Sequence, residues 1–368
     1  EQLFEDVEGE LFMLAWTTTP WTLPSNTALA VGDKIDYVKV KTFNSYTGDP
    51  ITVILAKERL NAYFQEKDKD LNFEDYKPGD KHVPHQIVGE HKGFELTGSS
   101  YVQLLPWIKP IGKAFEVIQG DFVTTEDGTG IVHIAPTFGA DDDRVAKAMG
   151  IAPLVLIDKT GERRPMVDLK GRFFNIDELD KEFVSSYVNI ENYPVYAGRY
   201  VKNDYDADFK EGGAVLDIDL AVDLKKNNKA FRIEKHVHNY PHCWRTDKPI
   251  LYYPLDSWFI KTTALKDKMI ELNKTISWKP AATGEGRFGN WLENLVDWNL
   301  SRSRFWGVPL PIWTSEDKTE QIAIGSAEQL KSEVEKAVEA GIMDQNHMSG
   351  FKPNDMSQEN YETYDFHR

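Results

Sequence analysis

Cysteine is nearly missing: Cys243 is the only one among 368 residues, which excludes an intrachain disulfide and a multi-thiolate metal site. No run approaches the roughly 18 uninterrupted apolar residues of a membrane-spanning helix. No charged leader with an apolar h-region opens the chain, so a reducing interior is expected, with the cytoplasm as the default and no membrane association. Positive charge is in deficit: 43 Lys and Arg face 59 Asp and Glu, a formal net charge of −16. That balance disfavours coating of phosphates by bulk charge, and any nucleic-acid contact must use local basic patches. Fixed-period repeats and low-complexity tracts are also missing. What is present is ordinary globular composition, with 41% hydrophobic, 28% charged and 12% aromatic residues. At roughly 100–200 residues per domain the length implies two domains, or three.

The opening LFMLAWTTTPWTLPSNTALAV reads as a buried strand from Leu11 to Trp16, an irregular loop marked by Pro20, Pro24, Ser25 and Asn26, and a second strand from Thr27 to Val31. A threonine loop is thus held between two strands. Strands follow at 35–40 and 51–55, then a short helix near 56–64 and a charged surface loop over 66–81. Between 117 and 134 two strand-like runs flank EDGTG, where Gly128 and Gly130 permit a tight turn. The acids Asp141, Asp142 and Asp143 stand where helix caps and first-turn acids belong, before a helix ending at Gly150. Further on the patterns predict a helix over 218–228, a strand over 231–237, an aromatic strand over 250–260, and helices over 263–273, 288–298 and 327–340. The strand-like VPLPIW separates the last two. The final DFHR carries no stop signal, so an internal boundary is expected there.

Small polar groups crowd at two places where a strand breaks: Trp16-Thr17-Thr18-Thr19-Pro20-Trp21-Thr22, and His133-Ile134-Ala135-Pro136 followed by Asp142. Threonine hydroxyls both donate and accept, so such a cluster suits a water or a ribose hydroxyl, and Asp142 suits an ammonium. The alternative is a Thr-rich strand edge, an Asp acting as helix N-cap and a structural histidine. Neither segment sets a cysteine or serine beside a histidine, which favours attack by an oriented water over a covalent acyl-enzyme. Threonine hydroxyls do not ionise near neutrality, which leaves His133 or a substrate hydroxyl as proton acceptor. Backbone N–H groups near Gly128, Gly130 or Gly139 are candidates for stabilising an oxyanion.

WTTTPWTLPSN with GTGIVHIAPTFGADD resembles, in order and spacing, the editing insertion of isoleucyl-tRNA synthetases, where both motifs line one hydrolytic pocket. The related leucine and valine enzymes read more like TTRP at the first motif and lack a histidine at the place of His133. DWNLSRSRFWGVPLPIW resembles the stretch where such chains re-enter the nucleotide-binding catalytic domain. The resemblance implies a mixed α/β fold. A β-rich, barrel-like editing domain with surrounding helices would cover 1–230, and a linker with part of a Rossmann-type catalytic domain would cover 231–368. It implies hydrolysis of valine from tRNA for isoleucine. Asp142 would hold the aminoacyl ammonium, and Thr17, Thr18, Thr19 and Thr22 would position the terminal ribose or the water. His133 would bound the side-chain space and Asn26 would support the loop, with Trp16 and Gly130 also contacting substrate. Neither a HIGH-type nor a KMSKS-type signature occurs, so aminoacylation by this stretch alone is not expected. ATP and Mg belong to the whole enzyme only, and editing needs no cofactor. The implied partner is the mischarged tRNA, with no stable protein partner.

His236, His238, His242 and Cys243 have zinc-ligand chemistry. A polar strand and turn account for them without metal, and the CxxC seen in some relatives at PHCWR has Thr246 at its second position, so no metal site is expected. Trp278, Trp291, Trp298, Trp306 and Trp313 read as core rather than base-stacking platforms, with Trp291 and Trp298 sharing a helical face at seven-residue spacing. Arg163 with Arg164, and Arg302 with Arg304, suit tRNA phosphates or a solvated face. Two rival functions are a non-catalytic module docking the tRNA acceptor end and a free-standing esterase for small aminoacyl esters.

Overall fold

The computed structural model describes all residues except 1, 2, 4, 6, 8, 211, 256, 302–309, 316, 318 and 364–368. The chain divides into two compact units, Glu1–Leu255 and Asp256–Arg368.

In the first unit the strand β1 (Glu10–Met13) precedes a 3-10 segment, Pro20–Ser25, and β2 (Ala28–Val31). Then come β3 (Asp36–Phe43), β4 (Pro50–Ala56), the short helix α1 (Leu60–Tyr63), β5 (Gln86–Lys92) and α2 (Gly93–Leu96). They are followed by β6 (Glu116–Gln119), β7 (Ile131–Ile134), α3 (Ala140–Ala148), β8 (Leu156–Ile157), β9 (Arg163–Arg164), α4 (Lys181–Tyr187) and α5 (Leu216–Lys226). One sheet has the order β1-β4-β3-β5, with β1 parallel to β4 and the rest antiparallel. A second has the order β6-β2-β7, with β2 parallel to β6 and antiparallel to β7. A third is the β8-β9 pair.

The two larger sheets pack because β2 is apolar on both faces, as its unbroken Ala-Leu-Ala-Val run requires. Ala28 and Ala30 face a cluster with Ile118, Ile134 and, from α3, Val145 and Ala146. Small residues there let the helix approach closely. Leu29 and Val31 face the opposite way, joining Tyr37, Ile54, Ala56, Val117 and Ile131 between the sheets. Each fully buried side chain of the Ile134 kind contributes about 1.5–3 kcal/mol. A separate aromatic core gathers Trp107, Phe173, Tyr193 and Tyr196 with Leu216 and Leu220 of α5, and takes in Trp21 from the threonine loop.

The second unit holds β10 (Phe259–Ile260), α6 (Lys266–Asn273), α7 (Phe288–Glu293), β11 (Trp298–Asn299), β12 (Ile312–Thr314), β13 (Gln321–Ala323), α8 (Ala327–Glu339) and α9 (Gln358–Glu362). Its described strands form two antiparallel pairs, β10-β11 and β12-β13.

The mixed α/β class stands, and four sequence expectations are corrected. The described strands form small open sheets and no closed barrel, because each ladder ends at an edge strand. The runs flanking EDGTG are not a hairpin: β6 and β7 each pair with β2, which lies between them. No strand forms over 231–237, and among the described residues of the aromatic run at 250–260 only Phe259–Ile260 is strand; side chains such as Val237 are exposed, so the alternating pattern meets no sheet. Three of the five tryptophans are not core, since α7 ends at Glu293 and Trp298 lies on β11: Trp291, Trp298 and Trp313 are all exposed, whereas Trp278 is half-buried, packed on Phe288 with its N–H donating to Asn273 Oδ1 at 2.9 Å. Arg302, Ser303, Arg304 and Trp306 lie outside the described residues.

Candidate active site

The two threonine- and aspartate-bearing segments meet at the end of the β6-β2-β7 sheet. Antiparallel pairing sets His133 of β7 opposite Leu29 of β2, and the Thr27 N–H donates to the Ile134 carbonyl at 3.0 Å. The loop before β2 is thereby laid against the strand that carries His133. The pair of prolines within Pro20–Ser25 favours a tight 3-10 turn over a strand or full helix. Trp16 bridges to Val132 on the other side.

The result is a cavity of about 420 Å³ lined by Trp16, Thr17, Thr18, Thr19, Thr22, Gly130, His133 and Asp142. Eight of the nine residues singled out from sequence therefore share one wall. Asn26 is the ninth: it is buried behind the cavity and acts on it through His133. Phe122, Thr124, Asp127 and Phe138 also line it. Phe138 lay within the second motif and Asp127 within EDGTG, so both were open to notice; Phe122 and Thr124 carry no local signature.

A directed hydrogen-bond chain fixes His133. Tyr101 OH donates to Asn26 Oδ1 at 2.5 Å, and Asn26 Nδ2 donates to the Ala28 carbonyl at 2.8 Å. The amide is thus oriented, and its Nδ2 is also 3.1 Å from His133 Nδ1, which must accept. The ring proton then sits on Nε2, which donates to Thr22 Oγ1 at 2.9 Å, while the Thr22 hydroxyl donates to the Thr19 carbonyl at 2.9 Å. Desolvation pushes the His133 pKa down to about 4, so the ring is neutral at physiological pH. Both ring nitrogens are engaged by protein. His133 is therefore built as a positioned wall, and its geometry argues against the proton-acceptor role.

Thr17, Thr19 and Thr22 form a hydroxyl string, with Oγ1 atoms 3.3 Å apart between Thr17 and Thr19 and 3.4 Å between Thr19 and Thr22. The Thr19 N–H donates to Thr17 Oγ1 at 3.0 Å. Gly130 has φ +74, and a Cβ there would lie 2.4 Å from the Ala56 Cβ, so only glycine fits.

Asp142 lies in the first turn of α3, whose N-cap is Gly139 with no side-chain cap, so the aspartate is not the helix cap. Its Oδ2 instead accepts the Ala135 N–H at 2.8 Å. Gly139 makes room, since a Cβ there would fall 2.8 Å from the Asp142 Cγ. Burial raises the Asp142 pKa above the ordinary value; the Ala135 N–H opposes the shift and the nearby Asp141 charge adds to it. The neighbouring charges are spoken for: Arg144 pairs with Asp121 and Asp141, and Lys147 with Asp143. Among the described residues no cationic side chain pairs with Asp142, so it is a half-buried anion facing the cavity without a counter-ion.

His236, His238 and His242 follow one another along the segment after α5, and Cys243 begins a turn closed by the Cys243 N–H to Lys248 carbonyl bond at 2.8 Å. Arg164 is paired with Asp158 at 2.7 Å and with Glu162.

A family described as tRNA synthetases class I (I, L, M and V) matches residues 8–366. An isoleucine–tRNA ligase of Bacteroides fragilis is 62% identical over 362 residues, covering 98% of this chain and 32% of the relative. One of Porphyromonas gingivalis is 60% identical over 363 residues, again covering 98% and 32%. The chain thus spans about a third of the length of these relatives. A solved structure described as "The crystal structure of GlLeuRS-CP1" aligns at TM-score 0.36 and 15% identity, covering 64% of this chain and 89% of that one, a likeness too low to carry an argument. The match to residues 8–366 shows that the chain belongs to the class I tRNA synthetases (I, L, M and V), with close sequence similarity to isoleucine–tRNA ligases.

Proposed function

We propose that residues 1–230 form a hydrolytic editing domain that removes valine from tRNA for isoleucine. The observation that carries this reading is Asp142: a half-buried carboxylate, without a cationic partner among the described residues, on the wall of a cavity whose lining also includes the threonines Thr17, Thr18, Thr19 and Thr22. An aminoacyl ester brings the missing cation as its α-ammonium, and its ribose hydroxyls find the string Thr17, Thr19 and Thr22. Discrimination by a synthetic pocket is limited to about 1–3 kcal/mol per methylene, a magnitude for which isoleucyl-tRNA synthetases themselves are the standard case. A second pocket that admits valine and is bounded by a rigid His133 supplies the remainder by excluding the larger side chain.

With His133 Nδ1 accepting from Asn26 and Nε2 donating to Thr22, the substrate's neighbouring ribose hydroxyl relays the proton, taking it from the attacking water while passing its own to the departing ester oxygen, so that the acid and the free ribose diol leave with no net proton change. Asp142 anchors the amino group and the threonines orient the ribose and water. The remainder of the chain is read as a linker leading into the nucleotide-binding catalytic domain, where ATP and Mg act in the whole enzyme. The test is release of amino acid from valyl- and isoleucyl-tRNA specific for isoleucine, at low salt and without ATP. Faster release of valine supports editing. Binding of tRNA without release favours a docking module, and equal cleavage of small valyl esters lacking tRNA favours a general esterase.

A further inference from the structure

From the mouth of the cavity a line of aromatic rings runs outward. Trp16, on the cavity wall, meets His236 edge-on with centroids 5.3 Å apart. His236 stacks on His238 at 5.8 Å, His238 meets Tyr240 at 6.2 Å, and Tyr240 meets His242 at 6.2 Å. The members of the chain segment alternate, 236, 238, 240, 242, as expected where an extended backbone directs every second side chain to one side. The intervening Val237 is 85% exposed, so apolar burial does not order this segment. Local bonds do: Tyr240 OH donates to the Ile250 carbonyl at 2.9 Å, and His242 Nδ1 donates to the Tyr240 carbonyl at 2.8 Å.

Charge follows the same line. Lys202 Nζ lies 4.8 Å from the Tyr240 ring centre and also 3.9 Å from Asp217 Oδ2, and the Arg245 guanidinium lies 4.4 Å from the ring centre of Trp244, itself 81% exposed. Over 231–250, four Lys and Arg face two acids, in a chain whose net charge is −16. Exposed aromatic rings in series with interleaved cations are the physical requirement for holding a single nucleic-acid strand, since every base has a π-face and every linkage a negative charge. The ladder ends at the cavity where an aminoacyl ester would be cleaved.

We propose that Trp16, His236, His238, Tyr240 and His242 form a stacking track for the single-stranded 3′ end of a tRNA, delivering its esterified terminal ribose to the threonine-lined cavity. The identity of the strand rests on the editing reading; the existence of the track does not.

The experiment is titration of the chain with a fluorescein-labelled single-stranded RNA tetranucleotide, ACCA, followed by anisotropy, beside steady-state deacylation of valyl-tRNA. Tyr240→Leu removes a π-face and should weaken tetranucleotide binding about tenfold and raise KM on valyl-tRNA about as much, with kcat little changed. Tyr240→Phe keeps the ring and should bind like the parent, which separates stacking from loss of the bond to Ile250. His238→Leu should repeat the Tyr240→Leu effect and His238→Phe should restore it. Parent-like binding by both leucine variants, or equal loss in Tyr240→Phe and Tyr240→Leu, would overturn the track. If the parent binds the tetranucleotide in a ring-dependent way yet cleaves no ester, the track stands and the editing reading fails.

Discussion

Replacing Asp142 by asparagine isolates the charge of a half-buried acid on the cavity wall that no cationic side chain pairs with among the described residues. The amide oxygen still accepts from the Ala135 N–H, now 2.8 Å away, so the first turn of α3 keeps its tie to β7. A carboxylate and an ammonium 3 Å apart attract by about 5–6 kcal/mol at an effective dielectric of 20, and the half-open cavity reduces that. Losing one partner of a desolvated, hydrogen-bonded charge pair costs about 2–5 kcal/mol. The lower part of that range, about 2–4 kcal/mol, corresponds to a fall of about 30- to 1,000-fold in kcat/KM on valyl-tRNA. Stability should move the other way or not at all. Burial raises the pKa of Asp142, so the folded state holds its proton more tightly than the unfolded chain, and the charged form is destabilised at every pH above that raised value. Asparagine relieves this penalty while giving up part of the favourable helix-terminus interaction, leaving net stability within about 1 kcal/mol of the parent. The parent's kcat/KM should also fall as pH drops through the Asp142 pKa, on a limb above the ordinary aspartate range, and the limb should vanish in Asp142→Asn. Measuring deacylation from pH 4.5 to 8 together with urea unfolding decides the matter. Activity within about threefold of the parent in a folded Asp142→Asn protein would refute the role given to the ammonium.

Gly139→Ala sets a Cβ 2.8 Å from the Asp142 Cγ at a backbone angle alanine tolerates, so it should displace the carboxylate and lower kcat/KM about tenfold without unfolding the chain, as circular dichroism and deacylation together would show. Thr22→Val leaves His133 Nε2–H without its acceptor, and Asn26 bars the other tautomer; urea unfolding should register a loss of about 1–3 kcal/mol, and a loss under about 0.5 would contradict the directed chain. Cys243 has its thiol pKa lowered to about 7, first by the Thr246 hydroxyl and then by the Arg245 and Thr246 N–H groups, so iodoacetamide labelling should be half-maximal near that pH. Thr246→Val should move the midpoint up toward the ordinary thiol value of about 8.5.

The elements that could be read from sequence are those whose pattern has one physical outcome. Ala28–Val31, apolar throughout and bounded by polar turns, had to be a strand buried on both faces, and the three acids at 141–143 had to open a helix. Pairing was not legible. The runs at 117 and 131 look like the arms of a hairpin, but a doubly buried strand such as β2 offers edges to both, and sequence does not state which edge wins. Alternation over 231–237 looked like a strand, yet with Val237 in solvent the period of two reflects only extended backbone, and its aromatic members serve each other instead of a sheet. The motifs put Thr22, His133 and Asp142 on one list; that His133 is held neutral, with its proton on Nε2, needed Asn26 and, above all, Tyr101, a residue with no local signature.

Thr22 and His133 are 111 residues apart in the chain and 2.9 Å apart in space. The antiparallel ladder of β2 and β7 is what closes that gap, and everything between them departs from and returns to the same pair of strands. Separation along the chain therefore does not set the dimensions of the cavity. Lengthening or trimming the mostly exposed stretch at 69–81 changes an excursion that leaves from and returns to the sheet of β3, β4 and β5, so the cavity keeps its dimensions. A single-residue shift within 131–134 has the opposite effect: it turns His133 to the wrong side of the sheet and Ile134 into its place.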